Sequence, residues 1–422
     1  MEAARSNVSL SEVEASSPSS DMLMRRRILA LAMIVGLLGA AYAAYGIWLN
    51  PLRPHVQTRL GYYAFVDPSY YLRSARVLAK FRLPAGPLDY FYGLGYPVLG
   101  ALFTKLGFRG DPFAPADVLL FAGICAFTLV LAVRLWSVVF GVISLTAGLV
   151  TVAVLVFGTP LFQFVLTPYN SLPAVFSLLA VLVLVTSVRT MTWGRGITIG
   201  LLLGWIFATR YGDLLFAGLP VAAAVVVRPR AERPRLVLGA ALGLISIVAL
   251  VAYTQYHAFG NPLLTPYHFH NRLTPGLGDD QSLKNYRLSW IPSHFIGEFI
   301  TGRSNGVRVA RDPMLRQFPL LPLVPVGVVA LVRRAGRARA VWIATTLAFV
   351  LSSVFYLSFV AGGAGDLPFG NLRYWAIWYP LWAILAIIGS KVAFERVQRI
   401  IARDARPFAT HRNAGNLDAP SR

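Results

Sequence analysis

Charge is scarce in this sequence, and negative charge is scarcest. Only 14% of the 422 residues are Asp, Glu, Lys or Arg, and the acidic share is 18 residues against 39 Lys and Arg. So little charge, with 56% hydrophobic residues and a mean hydropathy of +0.60, excludes an ordinary soluble domain and indicates a polytopic membrane protein. Cysteine is nearly absent. The single residue, Cys125, lies inside an apolar run, which excludes an intramolecular disulfide framework and any Cys-based metal site. A P-loop, a dinucleotide fingerprint, a G-x-S-x-G elbow and a zincin helix are also missing. The net charge of +21 lies in short clusters between apolar segments, which points to membrane topology and anionic head groups and away from nucleic acid.

What is present is a succession of apolar runs. Residues 1 to 24 are rich in Ser and Glu and read as a disordered cytoplasmic tail, followed by Arg25, Arg26 and Arg27. The run Ile28 to Leu49 then gives about 33 Å of helix, enough to cross a hydrocarbon core of roughly 30 Å. Further runs near 115–133, 138–157, 170–187, 197–209, 214–227, 236–256, 318–332, 341–361 and 373–390 bring the expected spans to ten. The expected fold is therefore an all-α polytopic bundle, with a transmembrane domain over 25–391 and a solvated cytoplasmic tail over 392–422. Alternation places Arg134, Arg189, Arg228, Arg333 and Lys391 with their neighbours in cytoplasmic connections, as the positive-inside rule asks. Both termini are then cytoplasmic, and 50–114 and 257–317 become long loops on the outer face of an inner membrane. The runs 197–209 and 214–227 are short, and a hairpin preserves this alternation where a single broken helix would reverse it.

Cytoplasmic loops this short cannot hold a nucleotide-binding domain, so an activated donor has to arrive in the membrane. In the first long loop, Tyr62 to Tyr71 surrounds Asp67 with tyrosines, and Pro68 to Leu83 reads as an amphipathic interfacial helix with Asp67 at its N-cap. A second such element, Tyr96 to Leu106, follows the turn Tyr92-Gly93-Leu94-Gly95. A carboxylate beside a membrane and a helix N-terminus suits the removal of a proton from an acceptor hydroxyl. Arg210 at the hairpin tip and Arg373 at the last span are candidate phosphate ligands, since a guanidinium matches phosphate bidentately and is costly at membrane depth. The bland alternatives are an Arg210–Asp213 ion pair and a snorkelling Arg373. His268 and His270 have no Cys or carboxylate nearby and fit hydrogen bonding to sugar or phosphate better than metal.

The order of Asp67, Tyr70, Tyr71 and Gly95-Tyr96-Pro97 after a first span resembles the GT-C superfamily of polyprenyl-phosphate-dependent glycosyltransferases. The likeness is to its family-39 branch, which includes the protein O-mannosyltransferases and lipid-A aminoarabinose transferases. Gly204 to Tyr211, Phe259-Gly260-Asn261-Pro262 and Arg373-Tyr374 with Pro380 extend the likeness over most of 28–390. The resemblance implies a membrane-embedded inverting transferase, with Asp67 as catalytic base and Arg210 and Arg373 on the carrier phosphate. Tyr70, Tyr71, Tyr96, Tyr211, His268 and Tyr374 are the expected substrate-lining residues. The expected partners are a polyprenyl-phosphate-linked sugar, a lipid, glycan or protein acceptor, and membrane lipids. Many members carry a second acidic residue beside the first, whereas Pro68 and Ser69 follow Asp67 here; neither a metal nor another cofactor is expected. An O-antigen polymerase or ligase type of enzyme would instead depend on His268, His270 and Arg272. A transporter would carry its charges along a central path.

Overall fold

The computed structural model describes residues 18–49, 66–187, 189–266, 286–304, 307–308, 312–359 and 370–404. These build a helical bundle, relieved by a two-residue antiparallel hairpin joining Arg303–Ser304 to Val307–Arg308. Among the described residues, five stretches are long and apolar enough to cross a membrane: Met22–Leu49, Ala114–Phe140, Arg230–Phe259, Gly336–Ser358 and Leu372–Ala402. Between them lie the shorter apolar helices Leu145–Gly158, Ser171–Val185 and Asp213–Val227. The apolar runs thus differ in the length of helix they form among the described residues. Leu145–Gly158, at 14 residues, rises only about 21 Å.

We number the principal helices α1 (Pro18–Ala44), α2 (Val66–Leu78), α3 (Gly95–Lys105), α4 (Ala114–Phe140), α5 (Leu145–Gly158), α6 (Leu161–Leu166), α7 (Ser171–Val185) and α8 (Trp193–Thr209). Then follow α9 (Asp213–Val227), α10 (Arg233–Phe259), α11 (Ile291–Ile296), α12 (Met314–Gln317), α13 (Val324–Arg334), α14 (Arg339–Ser358) and α15 (Tyr379–Asp404). A 3-10 turn, Gly370–Trp378, precedes α15. Helix α4 runs past its apolar segment because Arg134 is satisfied inside the bundle, where Nη1 donates to the Val183 carbonyl at 2.9 Å. Gly141 then stops the helix in a left-handed conformation, with φ 74°.

Helices α8 and α10 form the closest seam. Gly196, Gly200 and Gly204 recur at every fourth position, so one face of α8 is bare backbone. Opposite Gly196 and Gly200 stand Gly239, Ala240 and Gly243, and opposite Gly204 stands Ile247. A Cβ added at Gly200 would strike the Ala240 carbonyl oxygen, and one at Gly243 the Ile197 carbonyl oxygen. At the other end of the sequence, Trp375, Trp378, Tyr379 and Trp382 are fully buried where the 3-10 turn enters α15.

The short pair α8 and α9 is a hairpin. The amide of Met191, just before α8, donates to Glu232 Oε2 at 3.0 Å, just after α9, so the ends of the two helices remote from the Arg210 turn meet. Arginines gather at this end of the bundle. Arg134 and Arg228 donate to carbonyls at the C-terminus of α7, Arg233 to the Val226 carbonyl of α9, and Arg339 to the Val332 carbonyl of α13. Each supplies hydrogen bonds to carbonyls that a terminating helix leaves unpaired, and places positive charge at the negative end of its dipole.

Candidate active site

The opposite end of the bundle holds the C-terminus of α8, the N-termini of α7 and α9, the end of α14 and the 3-10 turn. Helices α2 and α3 of the first loop close over it. Asp67 lies in the first described turn of α2 rather than at its cap, because Val66 before it is already helical. Pro68 follows in the same turn, where a missing N–H costs nothing. The loop reaches the bundle through Gly93 and Gly95. A Cβ on Gly93 would meet the Ala208 carbonyl oxygen and one on Gly95 the Thr209 hydroxyl, so only glycine lets the turn sit on the end of α8.

Asp67 is held from two sides. The Tyr92 hydroxyl donates to Oδ1 at 2.6 Å, and Arg373 Nη1 donates to Oδ2 at 3.1 Å. That ion pair spans 306 positions of sequence. Its side chains are 17% exposed for Asp67 and 22% for Arg373, so the pair is shielded but still reachable by a ligand. Arg373 also donates to the hydroxyls of Tyr169 and Tyr374, both at 3.2 Å. Its guanidinium stands 5.6 and 5.1 Å from the centroids of those rings, within cation–π range. Burial first, and the Asp67 charge second, push the hydroxyls of Tyr92 and Tyr169 above the ordinary tyrosine range; Arg373 opposes both shifts. Both phenols therefore stay protonated and able to donate.

Arg210 is placed differently. Its Nε pairs with Asp213 Oδ2 at 3.1 Å, Nη2 donates to the Tyr356 hydroxyl at 3.2 Å, and Nη1 donates to the backbone oxygen of Arg373 at 3.3 Å. Tyr356 in turn donates to Asp213 Oδ1, and Asp213 is fully buried. The ion pair with Asp213 is thus formed, and Arg210 supports the turn that carries Arg373.

The remaining sequence candidates divide into those beside Asp67 and those behind it. Tyr71 is buried with its ring 5.2 Å from that of Tyr92 and 5.5 Å from that of Tyr96. Tyr374 stacks on Tyr356 at 4.9 Å and accepts from Arg373. Tyr70 stacks on Phe91 at 3.9 Å. Tyr96 faces away, donating to the buried carboxylate of Asp117 at 2.8 Å, and Tyr211 shares a hydrogen bond with Tyr90 at 3.0 Å. His268, His270 and Arg272 lie outside the described residues. Sequence reasoning missed Tyr92, Tyr169 and Tyr356 as partners. Only Tyr92 carried a signal, as the residue that opens the Gly-Leu-Gly turn. Among the described residues, no group of three or more His, Cys, Asp or Glu side chains could hold a metal ion.

No family model matches the sequence, and no curated protein matches it. Similarity is found in solved structures. The apo crystal structure of the Archaeoglobus fulgidus oligosaccharyltransferase superposes with a TM-score of 0.52 at 14% identity, over 92% of this chain and 53% of that one. Archaeal oligosaccharyltransferase AglB from Archaeoglobus fulgidus, in complex with an inhibitory peptide and a dolichol-phosphate, gives 0.51 at 14% identity over 93% and 53%. The chain has a GT-C fold. It spans about half the length of these GT-C structures, and at this identity the likeness concerns the fold.

Proposed function

We propose that this GT-C chain is a polyprenyl-phosphate-dependent glycosyltransferase, of the family-39 kind that its sequence resembles, transferring a sugar to an acceptor on the outer side of a cytoplasmic membrane. The carrying observation is the shielded Asp67–Arg373 pair: one candidate base and one candidate phosphate ligand, 3.1 Å apart, where the first loop meets the last long helix. In the proposed reaction the donor phosphodiester competes for the Arg373 guanidinium and loosens it from Asp67 Oδ2. Asp67 then accepts the acceptor's hydroxyl proton while that oxygen attacks the anomeric carbon. The bond from that carbon to the phosphate oxygen breaks on the opposite face, the carrier phosphate leaves with the electron pair, and the configuration inverts. Arg373, Tyr169 and Tyr374 take up the charge of the leaving phosphate, and Tyr92 keeps Asp67 oriented. The bound dolichol-phosphate and peptide named for the archaeal relative support a lipid-phosphate donor and a separate acceptor.

The distribution of charge also supports a transferase over a transporter. The buried carboxylates Asp117 and Asp213 occupy the first turns of α4 and α9, and Glu298 accepts from Trp375 at 2.9 Å, all at the end that holds Asp67. The test is transfer of radiolabelled sugar from synthetic polyprenyl-phosphate donors to membrane acceptors. Wild type should transfer label, and Asp67→Asn should lose it at least a hundredfold while inserting and folding normally. Full turnover by that variant would remove Asp67 from the mechanism.

A further inference from the structure

The face of α2 turned away from Asp67 borders a cavity. It has a volume of about 360 Å³, opens to the surface, and is lined by Ser69, Leu72, Arg73, Arg76, Val77, Lys80 and Asp89. Pockets for small ligands fall in the range of roughly 300–1,000 Å³. Leu72, Arg73, Arg76, Val77 and Lys80 follow helical spacing and form one stripe, whereas Asp67 and Tyr71 lie on the other side of the helix.

The cations of this stripe exceed its carboxylates. Arg73 Nε is paired with Asp89 Oδ1 at 2.6 Å, which accounts for the one acidic group on the wall. Arg76 and Lys80 make no ion pair with any described residue, and residues 50–65, which precede α2, contain no Asp or Glu that could neutralise them. Beside the cations lies exposed apolar surface. Phe81 is 87% exposed and held at φ 54°, with Lys105 Nζ 4.3 Å from its ring centroid. Leu102, Leu106 and Phe108 are exposed in the neighbouring segment. Cations and apolar side chains exposed together, on a helix packed beside a bundle with membrane-spanning helices, match an amphiphile with a negative head group.

We infer that this cavity binds the phosphate-bearing head group of an anionic lipid through Arg73, Arg76 and Lys80, with the apolar patch of Phe81 and Leu106 against its hydrocarbon. This assignment is independent of the transfer reaction, and its test reads lipid binding alone. The full chain is purified and placed in nanodiscs of phosphatidylcholine containing a minority of phosphatidylglycerol, and the lipids it retains are counted by native mass spectrometry. Wild type should retain phosphatidylglycerol selectively. The double variant Arg76→Gln/Lys80→Gln, which changes exposed side chains only, should lower that preference about tenfold. A parallel double variant at the other end of the bundle, Arg333→Gln/Arg337→Gln, should keep it.

Three results would overturn the assignment. The first is an unchanged preference in the Arg76/Lys80 variant. The second is an equal loss in the Arg333/Arg337 variant, which would make the effect one of overall charge. The third is complete displacement of phosphatidylglycerol by inorganic phosphate, which would make the ligand a free anion rather than a lipid.

Discussion

Tyr92 and Arg373 each take one oxygen of Asp67, and each is expected to matter in its own way. Tyr92→Phe removes a charge-assisted donor worth about 1.5–3 kcal/mol, so thermal stability should fall by up to that amount and transfer, with the base no longer held, roughly tenfold. A Tyr92→Phe enzyme with wild-type rates would show that the hydroxyl does not orient the base. For Arg210 the prediction separates position from contact. Arg210→Gln leaves the Asp213 carboxylate buried without its cation, at a cost of about 3–5 kcal/mol. The double variant Arg210→Gln/Asp213→Asn removes that penalty and should regain most of the lost melting temperature, yet keep a raised KM for the donor because the turn carrying Arg373 has lost its support. If the double variant is as unstable as the single one, the ion pair is not what Arg210 contributes.

Elements were more legible than contacts. The period of the apolar runs located most helices, and the amphipathic stripe located α2 and α3 to within a few residues. It erred where a charge was satisfied out of view, as at Arg134, or where a run opens as a 3-10 turn, as at Gly370–Trp378. The partners of Asp67 were not legible, because a bond across 306 positions depends on packing that no local pattern carries. The glycine seam of α8 and α10 was equally silent, since small residues show their purpose only against a facing helix. It now gives a paired test. Gly200→Ala must push the Ala240 backbone away and should destabilise the protein by about 1–3 kcal/mol, whereas Gly218→Ala, with nothing within 4 Å, should be neutral or gain up to about 1 kcal/mol in helix propensity. Equal melting temperatures for the two variants in detergent would mean that the seam is not tightly packed.

At the scale of the whole molecule, the two ends of the bundle differ in chemistry. At one end arginines bond to the last carbonyls of α7, α9 and α13. At the other, the buried Asp213 meets Arg210 and the half-buried Asp67 meets Arg373, among aromatic side chains. Short basic connections are retained on the cytoplasmic side of a membrane, so the arginine end should face the cytoplasm and the Asp67 end the opposite compartment. Because Cys125 is buried, cysteines can be introduced without a competing thiol. Leu88→Cys, an exposed position in the first loop, should react with a membrane-impermeant maleimide on intact spheroplasts. Arg337→Cys, exposed at the arginine end, should react only after the membrane is opened. The reverse pattern would place the Asp67–Arg373 site in the cytoplasm. There soluble nucleotide sugars are at hand, and the argument for a donor delivered through the membrane would fail with the topology.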